Sequence, residues 1–130
     1  MRVLGIDPSL TATGIAIVTL DSSNRLEIRD RTPRIETRTL PSTGRSDATL
    51  AQRQTRLGDI TDGIIIAAHG ADLVVIESPS LGQGRQGGQL DRHGLWWIAV
   101  DRLLDSGHSL AMVSPAGRAK YATGKGNASK

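Results

Sequence analysis

The chain has 130 residues, is 38% hydrophobic and carries a formal net charge of +3 with an isoelectric point of about 10.0, which suits one domain with one core and argues against disorder. It has no cysteine, so disulfides and thiolate zinc sites are excluded and any metal has to be held by carboxylate or imidazole. No apolar run approaches the ~18 residues of a membrane span, and the N-terminus lacks the apolar stretch of a signal peptide, so the expected setting is intracellular with no membrane partner.

Trp96, Trp97 and Tyr121 are the whole aromatic content, so the core has to be aliphatic. Residues 2–7 (RVLGID) read as a buried strand. Gly14 to Leu20 reads as a second, mostly apolar strand, and the short polar turn from Pro8 to Thr13 predicts an antiparallel hairpin. A third strand is expected within residues 26–40, with Ile28, Ile35 and Leu40 as its apolar members. Asp47 to His69 reads as a helix, because Leu50, Leu57, Ile60, Ile64 and Ala68 share one face. Asp47 is its expected N-cap and Gly70 its terminator. The short apolar run Leu73 to Ile76 predicts a central strand buried on both faces, with Glu77 at its end.

Residues 82–89 hold four glycines and read as a loop. A second helix follows from about Leu90 to Ser106, closed by Gly107. Ser109 to Val113 is a further strand. Ser114 and Pro115 then start a helix that runs to about Ala122, with serine as N-cap and proline in the first turn. The order strand, strand, strand, helix, strand, helix, strand, helix predicts a single α/β domain over 1–130. Its mixed sheet, an antiparallel meander followed by alternating strands and helices, is flanked by helices in RNase H-like order.

Asp7 and Glu77 close two strands that are sheet neighbours in that arrangement, so their carboxylates are expected to converge. A carboxylate at the end of an apolar strand is costly to bury unless it is paired or bound to metal. Oxygen ligands of this kind select Mg²⁺ or Mn²⁺. The plainer reading of Asp7 alone is a turn or capping residue. The surrounding Gly5-Ile6-Asp7-Pro8, with Thr13-Gly14 opening the next strand, favours phosphate chemistry, because glycine permits close backbone approach. Sugar kinases and chaperone ATPases share that pattern, so by itself it specifies phosphate plus metal and no more.

Three segments taken together resemble the RuvC family of Holliday-junction resolvases. They are Arg2-Val3-Leu4-Gly5-Ile6-Asp7-Pro8 with Thr13-Gly14; Ala71-Asp72-Leu73-Val74-Val75-Ile76-Glu77; and Ser114-Pro115 with Lys120, Thr123-Gly124-Lys125-Gly126 and Lys130. Ser9-Leu10-Thr11 after Asp7-Pro8 is closer to phage-type members. The resemblance implies a homodimer that cuts four-way or branched DNA through metal-activated water, in the cytoplasm of a bacterium or a phage-infected cell. It implies that Asp7 and Glu77 are catalytic metal ligands, that Lys130 is a basic residue at the rim, and that Lys120 lies in a matching basic segment. The glycine-rich loop after Glu77 corresponds to the family's DNA-contacting loop.

The chain departs from the family pattern in three places. The family's last two ligands lie on a helix roughly 20 residues beyond the position of Lys130, so the sequence is expected to be C-terminally truncated, with a two-metal site only in the complete protein. An aromatic that follows the catalytic Glu in many members is replaced by Ser78-Pro79-Ser80-Leu81, where Leu81 is a candidate wedge. Ser9 stands where glycine is usual.

Other candidates carry plainer alternatives. Asp101 and Asp105 share a helix face and read as solvated rather than as substitute ligands. Asp91 and His93 read as a local cap and a surface histidine. Trp96, Trp97, Val100 and Leu104 lie on a helix apolar around most of its surface, which suggests a dimer interface, with core packing as the alternative. Arg85 and Arg92 flank the glycine loop and, with Lys120, Lys125 and Lys130, are the expected DNA contacts. Residues 25–56 carry eight arginines against four acids, and arginine outnumbers lysine thirteen to three. That excess reads either as a junction-arm contact or as a solvated basic face of a GC-rich gene. The leading function is therefore a Mg²⁺-dependent, structure-selective endonuclease. The alternatives are a non-catalytic junction-DNA-binding module with the same fold, and a nucleotide phosphotransferase half-domain.

Overall fold

The structure is a computed structural model that describes residues 1–20, 32–79 and 88–124. Its elements run β1 (Arg2–Asp7), β2 (Ala12–Thr19), β3 (Arg34–Pro41), α1 (Leu50–Ala68), β4 (Leu73–Glu77), α2 (Gln89–Asp105), β5 (Leu110–Val113) and α3 (Pro115–Thr123). They form a five-stranded sheet in the order β3-β2-β1-β4-β5. β1, β2 and β3 are antiparallel neighbours, whereas β4 runs parallel to both β1 and β5. The predicted order of elements and the mixed sheet are both present.

Alternation along the strands sends one set of side chains to a single face. Leu4 and Ile6 of β1, Ile15 and Ile17 of β2, and Val74 and Ile76 of β4 are all buried there. α1 covers them with Leu57, Ile60, Ile64 and Ala68, and α2 with Leu95, Ala99 and Leu103. Each fully buried Leu or Ile contributes about 1.5–3 kcal/mol. The two helices are also tied by charge. Arg53 donates through Nε to Asp91 Oδ2 at 2.9 Å and through Nη2 to Oδ1, while Arg102 meets Asp62 at 2.5 Å. The hydrogen bonds from Arg53 hold the Asp91 carboxyl below its ordinary range despite partial desolvation.

A clamp at the other end of the sheet sets the β1–β4 register. The Arg2 amide donates to Asp72 Oδ2 at 2.7 Å and the Asp72 amide to the Arg2 carbonyl at 2.8 Å. The Arg2 guanidinium donates to the His69 carbonyl at the end of α1. Gly70 supplies the left-handed residue (φ 72°) that turns the chain from α1 toward β4. From this clamp the pairing runs Val3 with Leu73 up to Ile6 with Ile76.

Several expectations require correction. The N-cap of α1 is Thr49, whose hydroxyl accepts from the Gln52 amide in a reciprocal capping box. Asp47 instead pairs with Arg45, which donates to both of its oxygens. Leu50 is the first residue of α1 and is exposed, because the helix begins beyond the edge of the core. Among the described residues β4 is fully buried on one face only, since Leu73 and Val75 stay partly exposed. β3 begins at Arg34, its Ile35 is exposed on the edge strand, and Ile28 lies outside the described residues. Among the described residues no helix is long and apolar enough to cross a membrane.

Candidate active site

β1 and β4 end together. Ile6 pairs with Ile76, so Asp7 and Glu77 follow at the same level on adjacent parallel strands. Because Leu4, Ile6, Val74 and Ile76 point into the core, alternation turns Asp7 and Glu77 away from it. Both line a cavity of about 490 Å³ at the C-terminal ends of these strands, together with Ser9, Arg92, His93 and Arg118. The convergence expected from the two strand ends is therefore present.

Two local devices hold the walls. In the β1–β2 turn Thr13 is fully buried, and its hydroxyl donates to the Ser9 carbonyl at 2.9 Å and accepts from the Ser9 amide at 3.1 Å. Ser9 Oγ in turn accepts from the Thr11 and Ala12 amides, so the turn is wound around its own side chains. At β4, Trp96 Nε1 donates to the Glu77 carbonyl at 3.0 Å, and the Ser78 amide donates to the Val113 carbonyl at 2.9 Å. Both bonds are made by the Glu77–Ser78 peptide unit, which they hold in place directly after the residue that carries the carboxylate. The glycines on β1 and β2 are less constrained than their sequence context suggests. A Cβ at Gly5 would come no nearer than 3.8 Å to Ala16, and one at Gly14 would sit 3.5 Å from Asp7 Cβ.

Glu77 is buried, with 8% of its surface exposed. Arg118 Nε of α3 lies 2.8 Å from its Oε2, a charge pair by distance rather than an aligned hydrogen bond. This partner was not anticipated from sequence. Its only signal is the Ser114-Pro115 helix start, which places residue 118 about one turn inside α3.

The remaining candidates divide. Arg92 is exposed at the cavity mouth. His93, expected as a surface residue, is half-buried in the cavity wall, and Asp91 is an ion-pair partner of Arg53 rather than a helix cap. Asp101 and Asp105 are exposed on α2 and line no part of the cavity, as the solvated-face reading has it. Lys120 is exposed on α3. Arg85, Lys125, Lys130 and Leu81 lie outside the described residues. The tryptophans separate: Trp96 is partly buried against Glu77, and Trp97 is 65% exposed, with the two rings edge to face at 4.8 Å. Val100 is half-buried and Leu104 exposed on the same helix.

A larger groove of about 920 Å³ adjoins the cavity, sharing Ser9 and Arg92 with it. Arg45, Arg53 and Arg56 line it, but each has a structural task. Arg45 and Arg53 bind Asp47 and Asp91, and Arg56 donates to Ser42 Oγ at 2.9 Å and to the Leu10 carbonyl, which braces the β1–β2 turn.

Among the described residues no cluster of three or more metal-binding side chains occurs. Two adjacent carboxylates nevertheless suit Mg²⁺, which retains several waters and is commonly held by one or two carboxylates plus phosphate oxygens.

No protein-family model and no curated protein matches the chain. Solved structures do. The RuvC structure from Thermus thermophilus superposes with a TM-score of 0.72 at 17% identity, covering 100% of this chain and 74% of that one. T. thermophilus RuvC in complex with Holliday junction substrate superposes with a TM-score of 0.67 at 19% identity, covering 95% and 72% respectively. The chain thus has the RNase H-like fold of RuvC-type resolvases, with Asp7 and Glu77 at the ends of its two central parallel strands.

Proposed function

We propose that the protein is the nuclease core of a divalent-metal-dependent endonuclease that acts on four-way or branched DNA. The observation that carries this reading is the meeting of Asp7 and Glu77 in one cavity at the ends of β1 and β4, on a fold shared with a resolvase solved on a Holliday junction. Asp7 and Glu77 are the residues that would hold the cation. A divalent ion there supplies Lewis-acid activation of water and neutralises charge on the phosphodiester. Trp96 and the Ser78–Val113 bond keep Glu77 oriented, and the wound β1–β2 turn does the same for the backbone after Asp7. Arg92 at the cavity mouth is suited to a DNA phosphate, with Lys120 contributing charge from α3. Arg85, Lys125 and Lys130 are retained as proposed DNA contacts, with Lys130 at the active-site rim.

We also propose that α2 is the homodimer surface. Leu90, Trp97 and Leu104 are exposed and recur every seven residues, with Val100 three residues after Trp97, a spacing that forms a continuous helix–helix seam.

The test is incubation of the purified protein with a synthetic four-way junction and Mg²⁺. Cleavage that Asp7→Asn abolishes, with junction binding retained, is the expected result. Binding without cutting at any metal concentration would replace this reading with a non-catalytic junction-binding module, which the two-carboxylate set of the described residues would then favour.

A further inference from the structure

The pairing of Arg118 with Glu77 differs in its exposure from the Arg53–Asp91 pair, which also joins two elements. Arg53 grips both oxygens of Asp91, and this pair locks α1 to α2 next to the core. Arg118 reaches Glu77 from the solvent side, with its own side chain 43% exposed against 9% for Glu77. Among the described residues, α3 has none that is fully buried. A buried carboxylate left without a counter-charge is strongly unfavourable, whereas a half-exposed guanidinium is readily returned to water. The pair is therefore cheap to open from the arginine side, provided that another cation takes over Glu77.

We propose that Arg118 is a place-holder for the divalent cation. Its guanidinium neutralises Glu77 in the metal-free protein and yields the carboxylate when the cation is held between Asp7 and Glu77. The inference rests on the reading of these two residues as the metal site. It makes Arg118 a positioning residue that keeps the site charged, shaped and closed to other contacts before loading. Because the two cations compete for the same carboxylate, the apparent metal affinity is lowered by the fraction of molecules in which Arg118 occupies Glu77.

The experiment is a Mn²⁺ titration read by electron paramagnetic resonance of the free ion, without DNA and without reference to activity. The proteins are the wild type and the Arg118→Gln, Arg118→Lys, Arg92→Gln and Glu77→Gln variants. Removal of the place-holder in Arg118→Gln is expected to tighten Mn²⁺ binding by roughly 5- to 10-fold. Arg118→Lys should fall between this variant and the wild type. Arg92→Gln removes the same charge from the same cavity and leaves the Arg118–Glu77 pair in place, and should change affinity less than about 2-fold. Unchanged or weaker binding in a folded Arg118→Gln overturns the proposal, as does an equal gain in Arg92→Gln, which would reduce the effect to the general field of the cavity. If Arg118→Gln does not fold, the Arg118 Nε–H resonance of the wild type decides. Its move to a solvent-exposed position on addition of Mg²⁺ supports displacement, and its persistence overturns it. Absence of Mn²⁺ binding in the wild type, or binding that survives Glu77→Gln, would overturn the metal-site reading and the place-holder with it. Loss of binding in Glu77→Gln alongside an unchanged Arg118→Gln would overturn only the place-holder.

Discussion

On one face of the sheet Leu4, Ile6, Ile15, Ile17, Val74 and Ile76 disappear beneath α1 and α2. On the other, Val3, Gly5, Val75 and Val113 remain partly exposed and Ala111 is open to solvent. β1 and β4 supply residues to both sets, in alternation. The covered face is where the chain obtains its stability. The opposite side, which no part of the core consumes, is where Asp7 and Glu77 emerge at the strand ends. The division explains how two carboxylates can stand one residue beyond Ile6 and Ile76 without being drawn into the core.

The sharpest way to break this division is to alter the carboxylates. Asp7→Asn and Glu77→Gln are each expected to reduce junction cleavage by at least about 10³-fold while leaving circular dichroism unchanged. Activity near the wild-type level in either variant, measured by single-turnover nicking, would remove the proposed function. The next largest effect lies on the covered face. Ile64→Ala and Leu95→Ala should each cost about 2–5 kcal/mol in urea unfolding, because both side chains are fully buried. Val75→Ala, on the uncovered face, should cost closer to ~1 kcal/mol. Equal losses at Val75 and Ile64 would mean that the second face is also a packed interface.

Smaller effects sharpen the picture at the edges. Trp97→Ala and Leu104→Ala should shift the sedimentation coefficient toward the monomer, with little change in the unfolding of the protomer, since both side chains are exposed. A monomeric wild type would remove α2 as a dimer surface. The smallest effect is the acid dependence of Asp91. Arg53 holds this carboxyl below its ordinary 3.8, so the pair stabilises the fold fully above that value. The contribution is lost as pH falls through the lower folded-state value. Asp91→Asn should therefore be modestly less stable than the wild type near neutrality and converge with it at strongly acidic pH. A stability gap that persists unchanged into acid would assign the effect to packing rather than charge.

Much of the architecture was legible because its signals are local. The apolar run within residues 2–7, the helical spacing of Leu57, Ile60, Ile64 and Ala68, and the Ser114-Pro115 helix start each depend on neighbours within one or two turns. The helix boundary failed where two nearby residues competed. Asp47 and Thr49 are both fair caps, and the choice fell to Thr49 because Gln52 lies three residues on to complete the box, while Arg45 engages Asp47. Arg118 was invisible for a different reason. Its partner lies forty-one positions earlier in the chain, and nothing in the local pattern of α3 distinguishes it from Lys120.

The sequence by itself determined the order and approximate place of the strands and helices, that the core is aliphatic, and that Asp7 and Glu77 each end an apolar strand, because hydrophobic periodicity acts over a few residues. Only the tertiary structure decided that these carboxylates share a cavity, that Arg118 guards one of them, and that Trp96 turns inward while Trp97 faces out. Those outcomes depend on the parallel register between β1 and β4, set by Arg2 and Asp72 at the far end of the strands, and on how two helices settle over one face of a sheet. Contacts between residues so far apart in the chain leave no periodic trace in it.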